Sequence, residues 1–322
     1  MSADLAGIAT YGAFFLVTAL SYAMLCLGLN LQWGQTGLFN VGVAGFVAIG
    51  AYTSALLTTP PGSHWGGWGL PIALGWAAAA AAAGLASALV GALTLRLRSD
   101  YLAITTFGVA VVIHLLTLNA QSVTGGPLGI GFIPRPFAAF ADRPLLFTGL
   151  NLALVAGLLA VLLAALARLL HGPWGRALRA IREDERAAQA LGKSPAALRL
   201  QAFALGGAIM GLAGAVLGHF IGFISPDGYQ SGLTFQVWVM LIVGGSGNMT
   251  GALLGAVLVW ALWSASGQAI AALVPAELQA RAAALQLVAI GVALAAMLVL
   301  RPRGLLGERV TISRFLRAGA ED

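Results

Sequence analysis

Apolar residues in this chain come in long, nearly unbroken runs. Separated by polar residues or by Gly/Pro breaks, the runs cover 11–31, 39–57, 70–95, 101–118, 145–170, 201–224, 231–244, 250–273 and 283–300. Several of them, including 11–31, 70–95, 145–170 and 201–224, reach the roughly 20 residues that cross a bilayer as a helix. The pattern predicts an all-α polytopic membrane protein of about nine transmembrane helices, within a range of eight to ten because two runs are short for a full crossing. Two segments, 30–45 and 244–255, are interrupted by glycine and fall in opposite halves of the chain, where transporters place broken helices beside a pathway. The whole of 1–322 forms one transmembrane domain, with a polar loop at 171–199 and a polar tail at 301–322.

Composition agrees: 59% of residues are hydrophobic and 9% are charged, with a mean hydropathy of +0.91. An average soluble domain carries about 25% charged residues. The formal charge of +6 does not imply a nucleic-acid partner, because the basic residues sit in short loops between apolar runs and form no polar face. One set of loops holds Arg96, Arg98, Arg168, Arg176, Arg179, Arg182, Arg186, Lys193, Arg199, Arg301, Arg303, Arg309, Arg314 and Arg317, whereas the other holds Arg135, Arg143 and Arg281. Fourteen against three predicts a cytoplasmic C-terminus and, for an odd number of spans, an N-terminus outside. The first residues carry no basic stretch and no cleavage pattern follows the first run, so that run is expected to remain as a span.

The chemistry of the chain is sparse. Cys26 is its one cysteine, which excludes an internal disulfide or a cysteine-rich metal site. All eleven acidic residues fall in loops or termini, so the intramembrane carboxylate of a proton-coupled carrier is lacking. His114 and His219 lie near predicted span ends and read either as hydrogen-bonded interfacial histidines or as relay groups. No His/Glu metal spacing, nucleophile elbow or Walker loop is present; Gly192-Lys193-Ser194 imitates the end of a Walker loop, but position 187 is alanine and no strand precedes it. The chain is therefore expected to be no enzyme and to bind no cofactor, and any ATP that drives it must be bound by partner subunits. Glycines such as Gly206, Gly207, Gly211, Gly214 and Gly218 stand at spacings that let helices approach closely.

Segment 174–200 is the most informative loop. Leu178, Ile181, Ala188 and Leu191 recur at helical spacing among arginines and acids, which predicts one short amphipathic helix over about 176–191. Gly192 is a fitting stop, and Ser194 followed by Pro195 supplies an N-cap and first-turn proline for the next helix. The stripe lacks the aromatics of a membrane-surface helix, so it suits a protein groove better, with a solvated connecting loop as the alternative. On that reading Leu178, Ile181, Ala188 and Leu191 fill the groove, and Arg176, Arg179, Arg182, Glu183, Glu185 and Gly192 surround them. For a transport path, the uncharged polar groups Asn30, Gln35, Thr36 and Asn40 of the first broken segment are candidates, with Thr105 and Thr106 as weaker ones. The alternative for each is interhelical hydrogen bonding.

From residue 25 to 306 the chain resembles the LivM-type permeases of ABC importers for branched-chain amino acids. The resemblance rests on G-L-N-L-Q-W-G-Q-T-G-L-F-N-V-G-V-A-G-F-V-A-I-G-A-Y at 28–52, T-G-G-P-L-G-I at 124–130 and G-R-A-L-R-A-I-R-E-D-E-R-A-A-Q-A-L-G at 175–192. It continues through G-F-I-S-P-D at 222–227, G-G-S-G-N-M-T-G-A-L-L-G-A at 244–256 and L-R-P-R-G-L-L-G at 300–307, in the family's order and spacing. One departure lies at 34–43, where many relatives have G-x-x-G-x-x-S-L-G-H and this chain has G-Q-T-G-L-F-N-V-G-V. The resemblance implies a bacterial inner-membrane subunit that pairs with a second related permease, two cytoplasmic ATPase subunits and a periplasmic substrate-binding protein. It also implies that 175–192 docks onto an ATPase. Branched-chain or other small amino acids are the substrates it implies, and permeases for urea or short amides are the alternative; a self-sufficient carrier or channel is disfavoured by the missing charge relay.

Overall fold

A computed structural model describes residues 3–62, 66–97, 99–300 and 304–307. Arg98 and the basic tail residues Arg301, Arg303, Arg309, Arg314 and Arg317 lie outside the described residues. Each apolar run has become a helix: α1 (Ala3–Thr36), α2 (Val43–Thr58), α3 (Ile72–Thr94), α4 (Ser99–Asn119), then a single turn α5 (Gln121–Thr124), and α6 (Pro144–His171). The polar loop forms α7 (Pro173–Glu183) and α8 (Glu185–Ala190), after which come α9 (Pro195–Ile221), α10 (Ser231–Gly244), α11 (Met249–Leu273) and α12 (Gln279–Leu300). Among the described residues, six helices, α1, α3, α4, α6, α9 and α11, are long and apolar enough to cross a membrane. At 1.5 Å per residue, α2 and α10 rise only about 24 and 21 Å.

Backbone outside regular α-helix precedes each of these two. The chain leaves α1 at Gly37, whose φ of +73° only glycine adopts readily, and runs through 38–42 before α2 begins. The counterpart at α10 follows Gly222, also at positive φ, where Ile224 pairs with Ile130 in an antiparallel bridge of 2.8 and 3.0 Å. A Cβ on Gly129 would lie 2.0 Å from the Ile224 carbonyl oxygen, so the glycine permits the bridge. The T-G-G-P-L-G-I and G-F-I-S-P-D stretches are thus two halves of one structure. A second pairing joins 244–256 with the chain beyond α12, as Leu305 and Leu306 donate to the carbonyls of Val243 and Gly244 at 2.9 and 3.0 Å.

α1 and α9 form the buried centre, and α9 packs on α1, α2 and α3. Backbone contact explains the glycine-rich face of α9: a Cβ on Gly50 of α2 would meet the Gly211 carbonyl oxygen at 2.1 Å, and one on Gly206 would meet that of Gly28 at 2.7 Å. Small residues here let helices approach closely where burial of apolar area offers no drive in lipid. Outward faces are apolar, as Leu85, Leu89 and Leu93 show along α3. The successive helices alternate in direction, so Arg96, Arg168 and α7–α8 share one end, and Arg135, Arg143 and Arg281 share the other. We call these the basic end and the far end.

Candidate docking surface and transport path

At the basic end, the expected single helix over 176–191 is two. Asp184 takes an extended conformation (φ −147°, ψ 104°), ends α7, and accepts the N–H of Ala187 at 3.0 Å as the N-cap of α8. Aspartate competes with the helical backbone in this way, which is why it breaks the pattern. Gly192 follows α8 in the left-handed region, and Ser194 caps α9 by accepting from Ala197, with Pro195 in the first turn.

The placement of the apolar stripe also differs from the expectation. Leu178 and Ile181 are 0% and 1% exposed and belong to the central core with Leu166 and Leu170, and Ala188 is buried as well. These three are not free to fill a partner's groove. The physical reason is tethering: α7 is held between the ends of α6 and α9, and the closest apolar surface is the chain's own. Gly175 allows the close seat, since a Cβ there would come within 2.1 Å of the Leu170 carbonyl oxygen. Polar bonds fasten the edges. Trp174 donates to Gln201 at 2.8 Å, Arg179 reaches the Leu170 carbonyl at 3.4 Å, and Arg199 pairs with Glu185 at 2.9 Å. Arg182 donates to the carbonyl of Gly34 at the end of α1. What faces outward is the opposite side of the segment: Arg176, Glu183, Asp184, Arg186, Gly192, Lys193 and Leu191, the last 80% exposed.

The path candidates Asn30, Gln35, Thr36, Asn40 and Thr106 gather around the end of α1 and the turn after it, Thr105 lies apart from them on α4, and their polar groups make hydrogen bonds within the chain. Asn30 accepts the N–H of Gly247 at 2.7 Å and Gln35 donates to the Gly247 carbonyl at 3.0 Å, so both hold the turn between α10 and α11. Asn40 donates to Gln32 at 2.6 Å and accepts from Gly42 at 2.7 Å, while Gln32 donates to the Phe203 carbonyl at 2.8 Å. Thr36 donates to the Gln32 carbonyl, and Thr106 receives the Val41 N–H at 3.0 Å. All of these side chains are buried, and Thr105, half-buried, bonds back to Tyr101. Asn30, Asn40, Thr36, Thr105 and Thr106 each make a hydrogen bond within the chain, as the alternative expects. Gln35 keeps its Oε1 buried without a partner.

His219 is 1% exposed and cross-links α9 to its surroundings, with Nε2 at 2.8 Å from the Ser54 hydroxyl and Nδ1 at 2.7 Å from the Pro134 carbonyl oxygen. His114 differs, because its Nδ1 is buried without a partner beside a recess of about 320 Å³ at the far end. Ala110, Val111 and His114 of α4 and Tyr229, Gln230, Ser231 and Gly232 around the start of α10 line it. His114 is conspicuous in the sequence, but this recess is not, because its walls lie over a hundred positions apart along the chain.

A family profile described as branched-chain amino acid transport system, permease component, matches residues 12–300. The chain is 41% identical over 262 residues to the high-affinity branched-chain amino acid transport system permease protein LivM of Escherichia coli, and 39% identical over 263 residues to its namesake in Salmonella typhimurium. Each alignment takes in 74% of this chain and 59% of the relative, so the chain spans less than two thirds of the length of these relatives. A probable branched-chain amino acid transport permease protein LivM of Methanocaldococcus jannaschii is 27% identical over 73% of this chain and 75% of its own length. No solved structure matches. With a profile that extends over all the spans from α1 to α12, the chain belongs to the family of branched-chain amino acid transport system permease components.

Proposed function

We propose that this chain is the transmembrane permease subunit of an ATP-driven importer, and that it translocates branched-chain or other small apolar amino acids delivered by a periplasmic binding protein. The supporting observation is the α7–α8 segment: a structured polar module, seated through Leu178 and Ile181 on the membrane domain and presenting Arg186 and Leu191 outward, in a member of a transport-permease family. Such a module suits a chain that has no nucleotide loop of its own and takes its energy from another subunit.

On this reading the basic end faces the cytoplasm of a bacterial inner membrane and the C-terminus lies on that side, in keeping with the positive-inside bias. The N-terminus lies in the periplasm. A second related permease completes the membrane unit, and two ATPase subunits dock on the exposed side of α7–α8. The docking set then keeps Arg176, Glu183, Leu191 and Gly192, loses Leu178, Ile181 and Ala188 to the core, and gains Arg186. Arg179, Arg182 and Glu185, bonded within the chain, hold the module in place.

The test is reconstitution into vesicles with and without the ATPase subunits. Leucine accumulation should require both the ATPases and ATP. Accumulation by the purified chain alone, driven by an ion gradient and abolished by an ionophore, would overturn the proposal; urea or amide uptake in place of leucine would overturn its substrate class.

A further inference from the structure

We infer that the recess between α4 and α10 at the far end is a substrate site of this chain, shaped for a neutral, zwitterionic amino acid with an apolar side chain. The inference rests on the importer reading above. A polar atom left unsatisfied in the wrong place is the observation that carries it. Nδ1 of His114, a residue of the recess lining, is buried without a partner. An unpaired polar group inside a membrane segment costs several kcal/mol, and an ionisable side chain there, such as His114, marks a functional site by default. By contrast, the outward surface along Leu85, Leu89 and Leu93 of α3 and at Val161 of α6 is plain hydrocarbon.

The lining selects the ligand class. At about 320 Å³ the recess is at the small end of ligand pockets, which run from roughly 300 to 1,000 Å³. Ala110 and Val111 supply an apolar wall, whereas His114, Gln230 and Ser231 supply hydrogen-bonding groups. No carboxylate or guanidinium is among the lining residues, and the acid beside it, Asp227, is engaged by Gln230 at 3.0 Å. Uncharged groups can satisfy an ammonium and a carboxylate together without the net charge that would hold one substrate too tightly to release. The recess is also at the end opposite α7–α8, where a periplasmic donor would deliver its cargo.

Two glycines make the test clean. A Cβ at Gly232 meets nothing within 4 Å, and the same is true of Gly149 near the far end of α6, away from the recess. Cys26 is buried, so single cysteines added at these positions can be labelled selectively in the assembled importer. A membrane-impermeant charged thiol reagent should label Gly232→Cys, and leucine presented with its binding protein should slow that labelling at least threefold while leaving Gly149→Cys unaffected. In parallel, Gly232→Trp should reduce leucine uptake at least tenfold with the ATPases still bound, and Gly149→Trp should not. An unlabelled Gly232→Cys, as expected if a second permease or lipid fills the recess, would overturn the site, as would labelling that leucine does not slow. ATP-dependent leucine uptake by the unmodified complex alongside unprotected Gly232→Cys would condemn the site and leave the importer reading standing; loss of ATP dependence with protection intact would do the reverse.

Discussion

Gly50 and Gly211 show what a single side chain decides here. The backbones of α2 and α9 meet so closely that a Cβ on Gly50 would lie 2.1, 2.3 and 2.4 Å from the oxygen, Cα and carbonyl carbon of Gly211. Those neighbours are main chain of a buried helix and cannot swing aside. Overpacking a core ordinarily costs about 1–3 kcal/mol, and Gly50→Val should reach the upper end or beyond because relief requires the helices to part. We expect a large fall in detergent-solubilised, folded protein and in its melting temperature, whereas Gly12→Val, with open space around its Cβ, should behave as the unmodified chain does. Size-exclusion profiles and thermal unfolding of the two variants check this. At this scale the sequence told part of the story. The small-residue spacing of Gly206, Gly207, Gly211 and Gly214 announced close packing, and the packing exists. Asn30 and Asn40 were as conspicuous by polarity, but polarity does not name a partner. Their partners, Gly247 and Gln32, are supplied by the tertiary fold at one site and by the turn after α1 at the other.

The element most instructive about the limits of pattern is α7–α8. Its amphipathic stripe was legible at once, since Leu178 and Ile181 are three apart and Ala188 continues the face. What the stripe packs on was not legible, because periodicity reports a need for cover and says nothing about who provides it. The break at Asp184 had a local signal, an aspartate able to cap the N–H three residues on, but it was masked by the flanking Glu183 and Glu185, which suit a continuous helix. The corrected assignment reverses an obvious mutational expectation. Ile181→Asp places an unpaired charge in the core and should cost more than about 4 kcal/mol, so its primary effect is loss of folded permease. Leu191→Asp combined with Arg186→Glu changes only exposed positions. That pair should leave the permease folded and weaken its hold on the ATPase subunits about tenfold, close to 1.4 kcal/mol. Folded yield and ATPase co-purification, measured for both variants, separate the roles; full ATPase retention in the exposed double variant would remove α8 from the docking surface.

Across the whole molecule, the fold class and the set of apolar helices followed from hydropathy alone, because a bilayer requires each span to satisfy its own backbone. The segments outside regular helix escaped that logic. Residues 37–42, the turn at 245–248 and the strand-like pair at Ile130 and Ile224 are held by contacts between distant parts of the chain, and they coincide with the stretches that carry the family resemblance. At the basic end these contacts join into one chain of bonds. Arg182 of α7 donates to the Gly34 carbonyl, and its Cγ lies 3.5 Å from where a Cβ of Gly37 would be. Asn30 and Gln35, on either side of Gly34, grip Gly247 in the turn that leads to α11. On the proposed docking, a displacement of α7 by an ATPase would reach the end of α1 and the α10–α11 turn together. Shortening Arg182 to alanine should leave ATPase association within about 1 kcal/mol of normal, since the side chain is turned toward the membrane domain, away from the exposed docking side. The amount of leucine moved per ATP hydrolysed should fall severalfold, and Arg182→Lys, which keeps a donor and most of the length, should restore part of it. Uptake and hydrolysis measured in the same vesicles give the ratio directly. An unchanged ratio in Arg182→Ala, with ATPase subunits bound, would show that the stroke enters the membrane domain elsewhere, through the packed faces of Leu178 and Ile181.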